Sequence, residues 1–231
     1  MFISGFQKVS LLDYPKKIAS VIFTQGCNFI CPYCHNPELN ENIAGASIFN
    51  EEKIFQYFHK RAKVLDGVVI TGGEPFLQKD LENFVQKIKE IGLLVKIDTN
   101  GSFPEKLKKF IEKGWVNYVG MDIKTSFAKY EKVIKTDQDS IIDKVRKSIK
   151  ILLTEKVDYE FRITVAPEIV EQDDIIKIGA TIKEARRIFL QQFRNEKVLD
   201  GAFEEVEPYS LSMLKKFKQI LEKSAKKVEI R

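Results

Sequence analysis

Six short apolar runs in this chain are each followed by a stretch of helical periodicity, and that alternation limits the fold more than any other feature. The runs are Ser20–Thr24, Val68–Thr71, Leu93–Ile97, Val116–Ile123, Asp158–Val165 and Arg187–Leu190. Short runs of this kind read as strands. Between them, apolar side chains recur every three or four residues. Asn50 caps a first helix carrying Ile54, Phe55, Phe58 and Leu65. Leu81, Phe84, Val85 and Ile88 mark a second, stopped near Gly92. Ser102 and Pro104 open a third with Leu107, Phe110 and Ile111, stopped at Gly114. Later helices carry Ile141, Val145, Ile149 and Leu152, then Ile175, Ile178 and Ile182, then Leu211, Leu214, Phe217 and Leu221. Strands alternating with helices imply a parallel sheet. Six units are too few for a closed eight-fold barrel. The expectation is an α/β fold, an open partial (β/α)6 TIM-like barrel, in a single domain spanning residues 1–231. The Phe2–Lys17 segment is expected as a hairpin or strap at one edge, and Val228–Ile230 as a short final strand.

Each predicted strand delivers polar residues at its C-terminal end, where barrel enzymes build their sites. Gly26-Cys27 follows the first and Thr71-Gly72-Gly73-Glu74-Pro75 the second. Asp98-Thr99-Asn100-Gly101 closes the third, Asp122 and Lys124 the fourth, and Gln191 and Gln192 the sixth. Loops are polar in any protein, which accounts for part of this pattern. It does not account for Arg162, set inside the strand-like run Phe161-Arg-Ile-Thr-Val165.

All three cysteines, Cys27, Cys31 and Cys34, fall within eight residues. A disulfide framework is excluded, because such frameworks staple small secreted domains and this chain has 231 residues, 44% of them hydrophobic. A closed zinc site needs a fourth ligand, and only His35 and His59 are available. Cys31-Pro-Tyr-Cys34-His35 also reads as a haem-attachment or dithiol redox signature, but neither uses Cys27. Three thiols without a ligand are the remaining alternative. Against these stands a [4Fe–4S] cluster held by three thiolates, with one iron left open. Gly26 permits a sharp turn out of the strand and Pro32 stiffens the loop.

Charge and targeting narrow the setting. The net charge is +5, but acidic residues interleave with the lysines, so the pattern reads as solvated helix faces and not as a nucleic-acid groove. The densest basic tract, Lys215, Lys216, Lys218, Lys223, Lys226 and Lys227, is a candidate partner contact. No apolar run reaches membrane-spanning length, and Met1–Lys8 lacks the features of a secretory leader. A reducing cytoplasm is therefore expected, with no membrane partner.

The spacing Cys27-x-x-x-Cys31-x-x-Cys34 resembles the motif of radical S-adenosylmethionine enzymes. Gly72-Gly73-Glu74-Pro75 is similar to that family's GGEP segment. Asp98-Thr-Asn100-Gly is similar to its third-strand polar segment, and Asp122-Ile-Lys124 to the D-[IL]-K segment of glycyl-radical-activating members. Phe6–Pro15, Cys31–Leu39 and Leu190–Phe193 resemble the activating proteins of anaerobic ribonucleoside-triphosphate reductases, of the short, single-cluster type. The run Cys34-His35-Asn36 also occurs in pyruvate formate-lyase activating enzymes. Gln191-Gln192-Phe193 stands where that relative would carry a Tyr-His pair.

The resemblance implies a [4Fe–4S] cluster on Cys27, Cys31 and Cys34, with S-adenosylmethionine chelating the open iron. It implies cosubstrate contacts from Gly72, Gly73 and Glu74 to the ammonium, and from Asp98 and Asn100 to the ammonium or ribose. Asp122 and Lys124 would meet ribose and carboxylate, and Arg162 the carboxylate. Beside these, Tyr33 is read as shielding the cluster, stacking near adenine or packing the loop, and His35 and Gln192 as further candidate cosubstrate contacts. The implied reaction is reductive cleavage of S-adenosylmethionine and hydrogen-atom removal from a glycine of a partner, most simply an anaerobic ribonucleotide reductase. Flavodoxin or ferredoxin would supply the electron. Three other readings compete. One is a radical enzyme acting on a small molecule or RNA, similar to 7-carboxy-7-deazaguanine synthase. The second is a pyruvate formate-lyase-type activator. The third is a non-enzymatic metal-binding or electron-carrier protein.

Overall fold

A computed structural model of the chain describes residues 1–40, 49–136 and 138–231. Its strands are β1 (Ile3–Ser10), β2 (Ala19–Thr24), β3 (Gly67–Gly72), β4 (Leu94–Thr99), β5 (Tyr118–Asp122), β6 (Asp158–Val165), β7 (Ile188–Gln192) and β8 (Val228–Ile230). They form one open sheet in sequence order, β1 to β8. Its α-helices are α1 (Glu51–Arg61), α2 (Leu81–Glu90), α3 (Pro104–Glu112), α4 (Tyr130–Ile134), α5 (Ile141–Leu153), α6 (Gln172–Thr181) and α7 (Leu211–Leu221). Every strand from β2 to β7 is followed by a helix, the expected α/β order. Among the described residues no helix is long and apolar enough to cross a membrane.

The residues group into two compact units. The first comprises 1–28, 38–99 and 105–119, and the second 29–37, 100–104 and 120–231. In the first, β1 runs antiparallel to β2, with Phe6 opposite Ile22 and Gln7 opposite Val21. The expected N-terminal hairpin is thus a strand pair. β2, β3 and β4 are parallel, with Val21 beside Val69 and Val69 beside Lys96. Tyr14, from the turn between β1 and β2, packs with Ala19, Val21, Val69 and Tyr118. In the second unit β6, β7 and β8 are parallel, with Arg162 beside Phe189 and Leu190 beside Ile230.

Local chemistry explains most boundaries. Asn50 accepts the Lys53 N–H at 3.1 Å and Ser210 accepts the Met213 N–H at 3.3 Å, so both helices start on side-chain caps. Gly92 and Gly114 carry positive φ just past α2 and α3, as helix-terminating glycines do. β5 begins at Tyr118, two residues later than the apolar run suggests. Asn117 turns its side chain into the sheet instead, and Oδ1 accepts the Val95 N–H at 3.0 Å. The short α4 has too few apolar residues to show a period. Tyr130, Val133 and Ile134 are its buried ones.

Helices are held to the sheet by aromatic edges. Phe110 of α3 is fully buried and meets Phe76 and Trp115 edge-on, with ring centroids 5.2 and 5.3 Å away. Phe110→Ala should lower stability by about 3–5 kcal/mol, since the rigid rings around it cannot collapse into the void. Urea unfolding followed by circular dichroism measures this.

Candidate functional site

In the first unit the strand ends are joined backbone to backbone. Gly26, with φ of 90°, turns the chain out of β2. Its N–H donates to the Leu39 carbonyl at 2.7 Å, and its own carbonyl accepts the Glu74 N–H at 2.8 Å. The Gly73 N–H donates to Thr24 O at 2.9 Å. A Cβ on Gly73 would lie 1.9 Å from the Gly26 carbonyl oxygen, and one on Gly72 would lie 2.4 Å from the Thr24 nitrogen. The glycine pair thus lets the β3 turn seat on the peptide that precedes Cys27. Cys27 itself is half-buried and in no disulfide.

Glu74 is fully buried. Its Oε1 accepts the Phe76 N–H at 3.1 Å and the Thr99 hydroxyl at 2.9 Å, which ties the β3 turn to the end of β4. Asp98 is 7% exposed, and its Oδ1 lies 3.0 Å from the Lys96 ammonium. Thr99 and Lys96 are contributors that the motif reading passed over. A buried lysine two residues before a buried aspartate on one strand was the available signal.

The second unit carries Cys31 and Cys34. Cys31 is buried, Cys34 is half-buried, and the Cys34 N–H donates to the Cys31 carbonyl at 3.1 Å, closing a turn over Pro32-Tyr33. The Ile30 N–H donates to Ile134 O at 2.6 Å and the Asp200 N–H to Pro32 O at 2.9 Å, so the loop is pinned on both sides. Tyr33 is buried and its hydroxyl donates to Lys124 O at 3.2 Å. Burial, then the neighbouring Cys31, holds its phenol well above the usual range. Tyr130, also buried, is likewise raised by burial.

Three charged residues, two at the end of β5 and one inside β6, meet beside this loop. Asp122 Oδ2 takes a bond from Lys124 Nζ at 2.9 Å, and Asp122 Oδ1 takes one from Arg162 Nε at 2.7 Å. Burial would raise the Asp122 carboxyl, but Arg162 and then Lys124 outweigh it and hold the group well below the usual carboxylate range. Burial opposes the Lys124 charge, yet Asp122 and its neighbours raise the ammonium well above its ordinary value. The resemblance implies a ligand carboxylate as the partner of Arg162. The structure shows the ion pair, because Asp122 ends the adjacent segment within reach of Nε.

Asn100 builds a turn. Its Oδ1 accepts the Ser102 N–H at 2.9 Å and the Ser102 hydroxyl at 2.6 Å, and the Gly101 carbonyl accepts Ser148 Oγ at 2.7 Å. His35 stacks on Phe193, ring centroids 5.8 Å apart, and its Nε2 lies 3.1 Å from the Arg194 carbonyl. Burial lowers its pKa. His35, Thr164, Gln191, Gln192 and Arg194 line a cavity of about 520 Å³. Gln192 Nε2 donates to Tyr209 O at 3.1 Å on its wall. Arg194 is a lining residue without a sequence signal.

Among the described residues no three His, Cys, Asp or Glu side chains form a ready single-ion site. The thiols present are of another kind, since each iron of a cluster takes one thiolate and its ligands are more widely spaced than those of one ion. Soft, unbridged thiols suit such a group, and in the first unit the peptide before Cys27 seats on the glycine turn.

Comparison with known proteins bears on this geometry. Residues 21–178 match the model of the radical SAM superfamily. The chain is 36% identical, over 99% of its length and 95% of the relative's, to a provisionally named glycyl-radical enzyme activating enzyme of Methanocaldococcus jannaschii. It is 38% identical to the 7-carboxy-7-deazaguanine synthase of Aquifex aeolicus, over 38% of this chain and 39% of that one. Among solved structures it is similar to Streptococcus suis SuiB bound to S-adenosylmethionine, with a TM-score of 0.67, 14% identity and coverage of 91% of this chain. The chain spans about half of that longer protein, 49%. At this identity the likeness concerns the fold.

The Asp122 pair has a pH consequence. Its folded-state carboxyl is depressed, so its stabilising contribution is complete above the unfolded carboxyl pKa of about 4 and is lost as pH falls through the lower folded value. Asp122→Asn should therefore cost about 1–3 kcal/mol at pH 7, and the cost should shrink below about pH 4. Urea midpoints of both proteins between pH 7 and pH 3 test the sign.

Proposed function

This chain belongs to the radical SAM superfamily, and from that membership we propose that it activates a glycyl radical enzyme, specifically an anaerobic ribonucleoside-triphosphate reductase. It is an enzyme whose cofactors are a [4Fe–4S] cluster and S-adenosylmethionine. When bound, these supply one-electron cleavage and hydrogen-atom abstraction, chemistry that no side chain here offers.

The chain's own residues bind, orient and exclude water. Cys27, Cys31 and Cys34 would hold three irons of the cluster. The turn at Gly72, Gly73 and Glu74 would face the methionine ammonium with backbone carbonyls, while Glu74 keeps that turn in place. Asp98, with Asn100 shaping the following loop, would meet the ammonium or ribose. Asp122, Lys124 and Arg162 together carry two positive charges and one negative, and that surplus suits the methionine carboxylate. Tyr33, His35 and Gln192 would lie along the adenosine. Tyr33 is sealed in the loop, which suits shielding from solvent. No proton-transfer base is needed for hydrogen-atom abstraction, so the depressed Asp122 and the buried phenols serve as fixed charges and fillers.

One observation carries the reading: the match to the archaeal activating enzyme runs through nearly the whole of both chains. The partner reductase, a flavodoxin or ferredoxin donor and a reducing cytoplasm follow from the same reading. A small-molecule radical enzyme is the second reading, favoured by the identity to the deazaguanine synthase over 38% of the chain.

The test is anaerobic reconstitution, reduction, and addition of S-adenosylmethionine with candidate reductase. A glycyl doublet in the EPR spectrum, with methionine and 5′-deoxyadenosine formed, is expected. Cleavage with no doublet on any reductase would overturn the partner and leave the chemistry. Cys31→Ala should abolish both. Gly73→Ala keeps all three thiols but pushes on the Gly26 carbonyl, and should lower bound iron and sulfide at least about threefold.

A further inference from the structure

Lys96 is a cation buried in the first unit's strand face, and its surroundings would suit an apolar residue. It is 1% exposed. Its register partner is Val69, which in turn lies beside Val21. The ring of Tyr118 is 5.7 Å from its ammonium. Nζ donates to the Asp13 carbonyl at 2.6 Å and lies 3.0 Å from Asp98 Oδ1. The Asp13 end is itself fixed. Ser10 Oγ accepts the Leu12 N–H at 3.1 Å and the Asp13 N–H at 3.2 Å, and bonds the Asp13 carboxylate, so the hairpin turn presents its carbonyl at a set place.

A buried ion pair is a poor device for stability, because an apolar pair of similar volume often does as well or better. What the pair offers instead is a positive charge placed 3.0 Å from a buried carboxylate, two residues along the same strand face. Asp98 has almost no solvent to keep its charge. Without a counter-charge, burial favours the neutral acid. We propose that Lys96 is a positioning residue for S-adenosylmethionine, acting through Asp98, with the Asp13 carbonyl as its fixed anchor. The inference rests on the reading of Asp98 as a cosubstrate contact and extends it to a residue that would touch no ligand.

Two variants separate this role from simple support. K96Q keeps a donor for the Asp13 carbonyl and drops the charge; K96M drops both. Reconstituted K96Q should hold its iron and sulfide; with one partner of a buried pair gone its melting temperature should fall by several degrees, so KM is read well below it. Its KM for S-adenosylmethionine should rise about tenfold, with kcat within about twofold. D98N should weaken binding similarly, and K96Q/D98N should be no weaker than D98N alone, since Lys96 would act only through that carboxylate. A second readout needs no cofactor. Infrared spectra of the cluster-free chain should show a buried carboxylic-acid carbonyl band in K96Q and K96M that disappears in K96Q/D98N. If K96M fails to fold, K96Q and its double variant carry the test. K96Q that binds the cosubstrate like wild type, or penalties that add in the double variant, would overturn the inference. Wild-type protein that never binds S-adenosylmethionine would overturn the underlying reading with it, whereas tight wild-type binding beside an unaffected K96Q sinks this inference alone.

Discussion

The close approach of two peptides, at Gly26 and Gly73, sets where the cysteine loop begins. A parallel sheet ends in loops that diverge unless something ties them. Here the tie is backbone to backbone, and only a residue without Cβ leaves room, since any side chain at Gly73 would intrude on the Gly26 carbonyl. Glu74 extends the tie to β4 through Thr99. Three consecutive strand ends are thereby linked without a single exposed charge. The loop that carries Cys27 leaves from this rigid edge, which is where a bound inorganic group benefits most from preorganisation.

The second unit solves the same problem with charge. Asp122 ends β5, Arg162 lies inside the neighbouring β6, and Lys124 lies two residues past β5. Their two bonds to one carboxylate fix three side chains that would otherwise sample many rotamers. The Lys124 carbonyl then takes the Tyr33 hydroxyl, so the cysteine turn and the charged group share one backbone position. Loop shape and site charge are set by the same few atoms.

The fold was legible because its signals are repetitive. Val21, Val69 and Ile97 are typical of strands buried on both faces, and the helix periods at Phe84 and Phe110 are unbroken. The hairpin was legible as an edge element and the short β8 as a tail strand. α4 was not, because five residues give no period. Site residues were legible where a motif marks them, as with the cysteines, Gly73 and Asp122. Their bonds were not. Gly73 is marked by its motif, but its close approach to the Gly26 carbonyl is visible only in the structure. Arg162 read as awaiting an anion and already has Asp122. Lys96 gave no motif at all, since its meaning depends on Asp13, 83 residues away along the chain. Contacts at that separation follow from strand register and turn geometry, which composition does not encode.

The Asp122–Arg162 pair changes how anion binding should be pictured. An arginine waiting alone in a half-buried site would carry a large desolvation cost in the empty state and recover it only when ligand arrives. Asp122 removes most of that cost in advance. Its Nε bonds one oxygen of Asp122, while Lys124 takes the carboxylate's other oxygen. An incoming carboxylate then meets a group with net charge of one positive unit, already oriented, and need not order two flexible cations. The resulting attraction is weaker than two bare cations would give, and the rotamer entropy is settled at folding instead of at binding. On the proposed reading, a site built this way would favour quick exchange of the cosubstrate's carboxylate end over very tight retention.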